Sequence, residues 1–124
     1  FVGVPQGRVK RPEGASERVA DLARETAAFL DLECSPEVEA IAVADQYAGP
    51  GFGILDAPTR EAVQQVARTE GILLDPSYTG KGFAGLLDTI RKGELTAGED
   101  VVFVHTGGTP LVFVYGEALL EALA

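Results

Sequence analysis

The chain has 124 residues, the length of one ordinary domain, and its 46% hydrophobic content is enough to build a core, which excludes a disordered chain. A net charge of -9, with ten scattered Lys and Arg against nineteen Asp and Glu, argues against nucleic acid or an anionic membrane as partner, since both are held mainly by basic side chains. One cysteine, Cys34, and one histidine, His105, exclude an internal disulfide and leave too few ligands for the usual zinc site. With no apolar run near the roughly 20 residues of a membrane span and no leader pattern, the expected setting is cytoplasmic.

The chain opens at Phe1, without Met, in an apolar run to Val4 closed by Pro5. This reads as a strand already under way, so the sequence is expected to be part of a longer protein or to have lost its beginning. A loop from Gly7 to Gly14 follows, with Pro12 in it. Ser16 is the expected N-cap of a helix ending near Asp31, with Val19, Leu22, Ala23, Thr26, Ala27 and Leu30 on its inner face. Ala40 to Ala44, centred on Ile41 and Val43, is the second expected strand. Asp45 to Gly53 is too rich in Gly and Pro for regular structure.

Thr59 is the expected cap of the next helix, with Ala62, Val63, Val66 and Ala67 inward and Gly71 as its stop. Ile72 to Asp75 reads as a third strand, leading through a polar turn into a third helix. Phe83, Leu86, Leu87 and Ile90 share one face of that helix, and Gly93 follows as its C′ residue. Val101 to His105 is the fourth expected strand; after the loop Thr106-Gly107-Gly108-Thr109-Pro110 a helical tail runs through Leu120. Strands alternating with helices predict an α/β fold, three-layered, with a mostly parallel sheet and no internal repeat or linker over 1–124.

Gly80, Gly82 and Gly85 form a G-x-G-x-x-G at the opening of a helix, the context of a dinucleotide fingerprint. The acidic residue that should follow about 20 positions on is missing, because that strand ends in His105-Thr106, so another ligand or simple packing is favoured. The phosphate loop of nucleotidases fails outright: Gly82 follows Lys81 where Ser or Thr is needed. Lys81 reads as an exposed lysine rather than an amine nucleophile, which usually needs burial. His105 reads as structural, Cys34 as an inert thiol, and Asp75 as a turn or cap residue.

Two pairs remain. Tyr78-Thr79 and Thr106-Gly107 both terminate predicted parallel strands, and ligands of open α/β sheets bind at such strand ends beside helix N-termini. The shared crevice would offer a phenol, two hydroxyls and close backbone at Gly80 and Gly107, without a strong charge. That lining suits a neutral heteroaromatic ligand better than a phosphate or a metal.

The stretches Glu70 to Gly82, Ile90-Arg91-Lys92-Gly93 and Val104 to Pro110 resemble the C-terminal part of the D-cysteine desulfhydrase and 1-aminocyclopropane-1-carboxylate deaminase family. These are pyridoxal-phosphate enzymes of the tryptophan-synthase-β fold type (fold type II). The resemblance runs from Asp45 onward. It implies a part of the large cofactor-binding domain, with Tyr78 as the catalytic contact and Thr79, Gly80, Thr106 and Gly107 around pyridoxal 5′-phosphate. It also implies a homodimer.

The deaminase branch typically carries Glu at the position of Thr79 and Leu at that of Thr106. A carboxylate there keeps the ring nitrogen protonated and the ring a strong electron sink, whereas a neutral hydroxyl suffices for β-elimination of a good leaving group. The resemblance therefore implies a lyase converting a small D-amino acid, D-cysteine, to pyruvate, sulfide and ammonia. The alternatives are the cyclopropane deaminase, a lyase for a sulfonated amino acid, or a non-enzymatic ligand-binding domain. Phe52 stands where the family usually has tyrosine. The covalent lysine, the serine after it and the phosphate-binding loop belong to earlier sequence of the family, and Lys10, Lys81 and Lys92 do not match that lysine's motif. The chain alone is thus expected to be inactive and to need the missing N-terminal part.

Overall fold

A computed structural model of the chain describes residues 2–4 and 13–121. The expected loop from Gly7 to Gly14 lies largely outside them, as do Phe1 and Pro5. Two short strands, β1 (Val2–Gly3) and β2 (Ala42–Val43), pair in parallel with Val2 opposite Ala42 and Gly3 opposite Val43. The helices are α1 (Ala15–Phe29), α2 (Ala57–Glu70), α3 (Thr79–Arg91), and the short α4 (Leu111–Val114) and α5 (Gly116–Leu120). The fold is α/β with a small parallel sheet, as the alternating pattern implies.

Two of the four expected strands do not form. Ile72 to Asp75 and Val101 to His105 make no ladder with any strand among the described residues. The reason is the lack of a facing edge: Leu74 and Phe103 reach the core, but Ile72 is 50% exposed, Val104 66% and Val102 87%, with no strand paired beside them among the described residues. What holds these two segments to each other is the His105 ring. Its Nδ1 accepts the Gly107 N–H at 3.2 Å, and Nε2 lies 3.1 Å from the Leu73 carbonyl, a pair of contacts that only the Nε2–H tautomer satisfies. His105 is structural, as read.

The capping residues also differ from expectation. Helix α1 starts at Ala15 after Gly14 in the left-handed region (φ 71°), so Ser16 lies inside its first turn, buried rather than capping. Its inner face is the small-residue line Ser16, Ala20 and Ala27, while Leu22 and Leu30 point outward, because α1 rests on the turn Val38–Ala40 and on β2 through its alanines. Helix α2 is capped by Asp56, whose Oδ1 accepts the Thr59 N–H at 3.0 Å; Thr59 is therefore within the first turn, behind Pro58. Gly71 (φ 68°) and Gly93 (φ 72°) do stop their helices in the left-handed conformation.

The core lies between α2 and α3. Val63, Val66, Leu74 and Leu119 form its centre, with Leu55, Phe83, Phe103, Val112 and Tyr115 packed around it. Arg91 forks onto Glu61 at 2.6 and 3.1 Å, tying the outer surfaces of the two helices. Of the expected inner face of α3, Phe83, Leu86 and Leu87 are half-buried, and Ile90 is half exposed.

Candidate functional site

The turn from Asp75 to Gly80 is built by one carboxylate. Asp75 is fully buried, and its Oδ2 accepts the N–H groups of Ser77 and Tyr78 at 2.7 Å each. Its Oδ1 accepts the N–H and the hydroxyl of Thr79, both at 2.8 Å. A buried carboxylate is tolerable only when its lone pairs are met in this way, and one of these bonds satisfies the Thr79 N–H at the start of α3, while the Gly80 N–H donates to the Asp75 carbonyl at 2.8 Å. Asp75 takes the turn role that the sequence suggests, three residues before the N-cap position at Tyr78.

That arrangement fixes the chemistry of Thr79. Its hydroxyl gives its proton to Asp75 and uses one lone pair on the Asp75 N–H at 2.9 Å, leaving it a single acceptor site. The second loop arrives against the same carboxylate. A side chain at Gly108, where φ is 85°, would lie 2.5 Å from Asp75 Oδ1, so only glycine lets Thr106–Gly108 pass there. No hydrogen bond holds the Thr106 hydroxyl among the described residues.

Tyr78, Thr79 and Thr106 accordingly line one cavity of about 720 Å³ between the β1–β2 pair, α3 and the 101–106 segment. Phe103, Leu86 and Tyr47 complete its walls, which are mostly apolar. Tyr78 is partly exposed and meets the ring of Phe52 edge-on at 5.6 Å, so the phenylalanine in the tyrosine position of the resemblance sits beside the phenol. At the other end, Lys92 Nζ lies 2.6 Å from Asp88, which also accepts the Tyr47 hydroxyl at 2.5 Å. These bonds hold the Asp88 carboxyl below the usual carboxylate range and raise the Lys92 ammonium, so the cluster is internally neutralised.

Gly80 and Gly107 stand differently. A Cβ on Gly80 would come within 2.6 Å of the Asp75 carbonyl and 2.7 Å of a Val63 methyl, so its bareness serves the contact of α3 with α2. Gly107 (φ 115°) has open space around it, and neither glycine lines the cavity. The other two glycines of the G-x-G-x-x-G do line the cavity: a Cβ on Gly85 would come within 2.9 Å of Tyr47, while one on Gly82 would make an ordinary 3.5 Å contact with Phe103.

Lys81 departs most from the sequence reading. Far from being exposed, it is fully buried, and its Nζ donates to the carbonyls of Ala48 and Gly51 at 2.7 Å each. Burial pushes its pKa down, and the nearby Asp56 carboxylate opposes that shift. A turn with two glycines around a proline, Gly49-Pro50-Gly51, was the only trace of this partner in the sequence. Cys34 is exposed and unbridged. Among the described residues no three His, Cys, Asp or Glu side chains gather as a metal site, and no helix is long and apolar enough to cross a membrane.

Comparison with known proteins gives the family. A 1-aminocyclopropane-1-carboxylate deaminase of Burkholderia ambifaria is 42% identical over 107 residues, covering 86% of this chain and 31% of the relative. The enzyme of the same name from Pseudomonas syringae pv. tomato is 36% identical over 105 residues, 85% of this chain and 31% of the relative. A crystal structure described as an ACC deaminase homologue superposes with a TM-score of 0.69 at 37% identity, covering 97% of this chain and 34% of that one. The chain thus spans about a third of the length of these relatives. The profile of the family described as pyridoxal-phosphate dependent enzyme matches residues 4–107, and the chain belongs to that family.

Proposed function

We propose that this segment forms one wall of the active site of a pyridoxal-phosphate lyase that performs β-elimination on a small D-amino acid, with D-cysteine as the substrate. The observation that carries the reading is the pair of hydroxyls, Thr79 and Thr106, on one cavity whose walls are otherwise mostly apolar. The wall suits a flat ring: its lining is mostly apolar, with the Thr79 and Thr106 hydroxyls on it, and the charged side chains that reach it are Lys92 and Glu94. Among the described residues it does not offer the covalent lysine, because Lys81 is spent on two carbonyls and Lys92 on Asp88. In this reading the covalent lysine and the phosphate-binding loop come from the remainder of a longer protein.

The cofactor, when bound, supplies the electron sink for the reaction. The residues of this chain set how strong that sink is. Thr106, with an uncommitted hydroxyl, can donate to an unprotonated ring nitrogen; Thr79, whose proton belongs to Asp75, can only accept. Neither carries the negative charge that would hold a proton on the ring. A moderate sink is enough when a good leaving group such as thiolate departs. Tyr78 presents a phenol to the substrate side of the cavity, and the Phe52 ring shields it from one flank without competing for its proton.

A second reading is supported by the names of the relatives, 1-aminocyclopropane-1-carboxylate deaminases at 36 to 42% identity. The two separate in one assay on the full-length chain. Release of sulfide and pyruvate from D-cysteine, with no oxo acid and ammonia from 1-aminocyclopropane-1-carboxylate, is the expected result. Ring opening of the cyclopropane substrate without sulfide release would move the assignment to the deaminase. A homodimer is part of the same proposal and is checked by the mass of the purified protein in solution.

A further inference from the structure

Lys81 is the largest fully buried side chain among the described residues, and it is charged. Burying an ammonium costs several kcal/mol unless its protons are met, so a residue needed only to fill space would be apolar. Its two carbonyl partners, Ala48 and Gly51, bracket the turn that ends in Phe52. The turn is closed over the ammonium: a Cβ on Gly49 (φ 71°) would lie 3.1 Å from Nζ and 2.6 Å from Asp56 Oδ2. A further tether fixes its far end, where the Tyr115 hydroxyl donates to the Gly53 carbonyl at 2.5 Å. Lys81 itself lies one turn of α3 beyond Tyr78, so one helix start both presents the phenol and grips the loop that carries its aromatic neighbour.

We propose that Lys81 is a positioning residue: its buried ammonium clamps the Ala48–Gly51 turn and thereby sets the Phe52 ring against Tyr78, which lines the cavity. Lys81 itself does not line the cavity, so the clamp acts through the Phe52–Tyr78 contact. This goes beyond the lyase reading and rests on it only for the kinetic readout.

The test uses the full-length chain. Lys81→Met keeps most of the volume and removes the charge; Lys81→Ala leaves a space that propylammonium fills, whereas propanol supplies no charge. In Lys81→Met, amide exchange over residues 48–53 is expected to speed up about tenfold or more, with α1 unchanged. KM for the accepted amino acid is expected to rise about tenfold while kcat stays within about threefold. In Lys81→Ala, propylammonium should restore slow exchange and low KM, and propanol should not. Parent-like exchange at 48–53 in Lys81→Met would overturn the proposal. So would a uniform loss of protection across α2 and α3 that propylammonium does not relieve, since the lysine would then serve packing alone. If the parent chain turns over neither substrate, the lyase reading fails, and the exchange data still decide the clamp.

Discussion

The Asp75–Gly80 turn and the Val101–Thr106 segment border the same cavity, and they are held there in opposite ways. The turn is closed on itself: one carboxylate meets four donors within five residues, and everything from Leu74 to Ser77 is buried. The segment is held at two points, by Phe103 packed edge-on against Phe83 at 5.1 Å and by the His105 bridge, with Val102 and Val104 exposed along the open cavity. A site wall made of one self-sufficient and one supported piece has a fixed edge at Thr79 and an edge at Thr106 that depends on what covers the valines.

The largest effect is expected from breaking the self-sufficient piece. Asp75→Ala orphans the buried N–H groups of Ser77 and Thr79, the partly buried one of Tyr78 and the Thr79 hydroxyl, and denaturant unfolding should show a loss of about 3 kcal/mol or more. Next comes Gly80→Ala, whose methyl has backbone on one side and Val63 on the other; overpacking of about 1–3 kcal/mol is expected by the same measurement.

The comparison is sharpened by Val102→Thr. Val102 is 87% exposed in the described residues, where such a change is worth less than about 0.5 kcal/mol. In the full-length chain a covering strand would make the buried hydroxyl cost about 1–2 kcal/mol, and an unchanged midpoint there would mean that nothing covers the segment.

The smallest effect belongs to the surface. Arg91 holds the Glu61 carboxyl below its ordinary range, chiefly through their hydrogen bond. A lowered folded pKa means that this pair contributes above the ordinary glutamate value and is lost as pH falls through the lowered one. Arg91→Gln should therefore flatten the acid limb of the stability–pH curve slightly, an effect that molar salt erases in the parent.

What the sequence discloses follows the same division. The Asp75 turn, the inward Val63 and Val66, and the stops at Gly71 and Gly93 are short-range physics and are legible, because their partners lie within a few residues. Even there the cap of α2 is read three residues late: Thr59 has the right chemistry, but Asp56 stands before Pro58, which marks the first turn. Lys81 escapes because its carbonyl partners lie 30 and 33 residues upstream and carry no side-chain signature. The strands expected at 72–75 and 101–105 have the right composition, but a strand also needs an edge to pair with. The co-location of Tyr78, Thr79 and Thr106 is legible from a rule about strand ends, and the loops converge although those strands are not paired; their close approach, Gly108 against Asp75, is visible only in three dimensions.

The central claim is that a neutral hydroxyl pair faces the edge of the cofactor ring. A crystal structure of the full-length protein with pyridoxal phosphate tests it directly. The account predicts the Thr106 hydroxyl within hydrogen-bonding distance of the ring nitrogen, with Thr79 still bound to Asp75. A carboxylate at that nitrogen, or a ring bound away from both threonines, would contradict it.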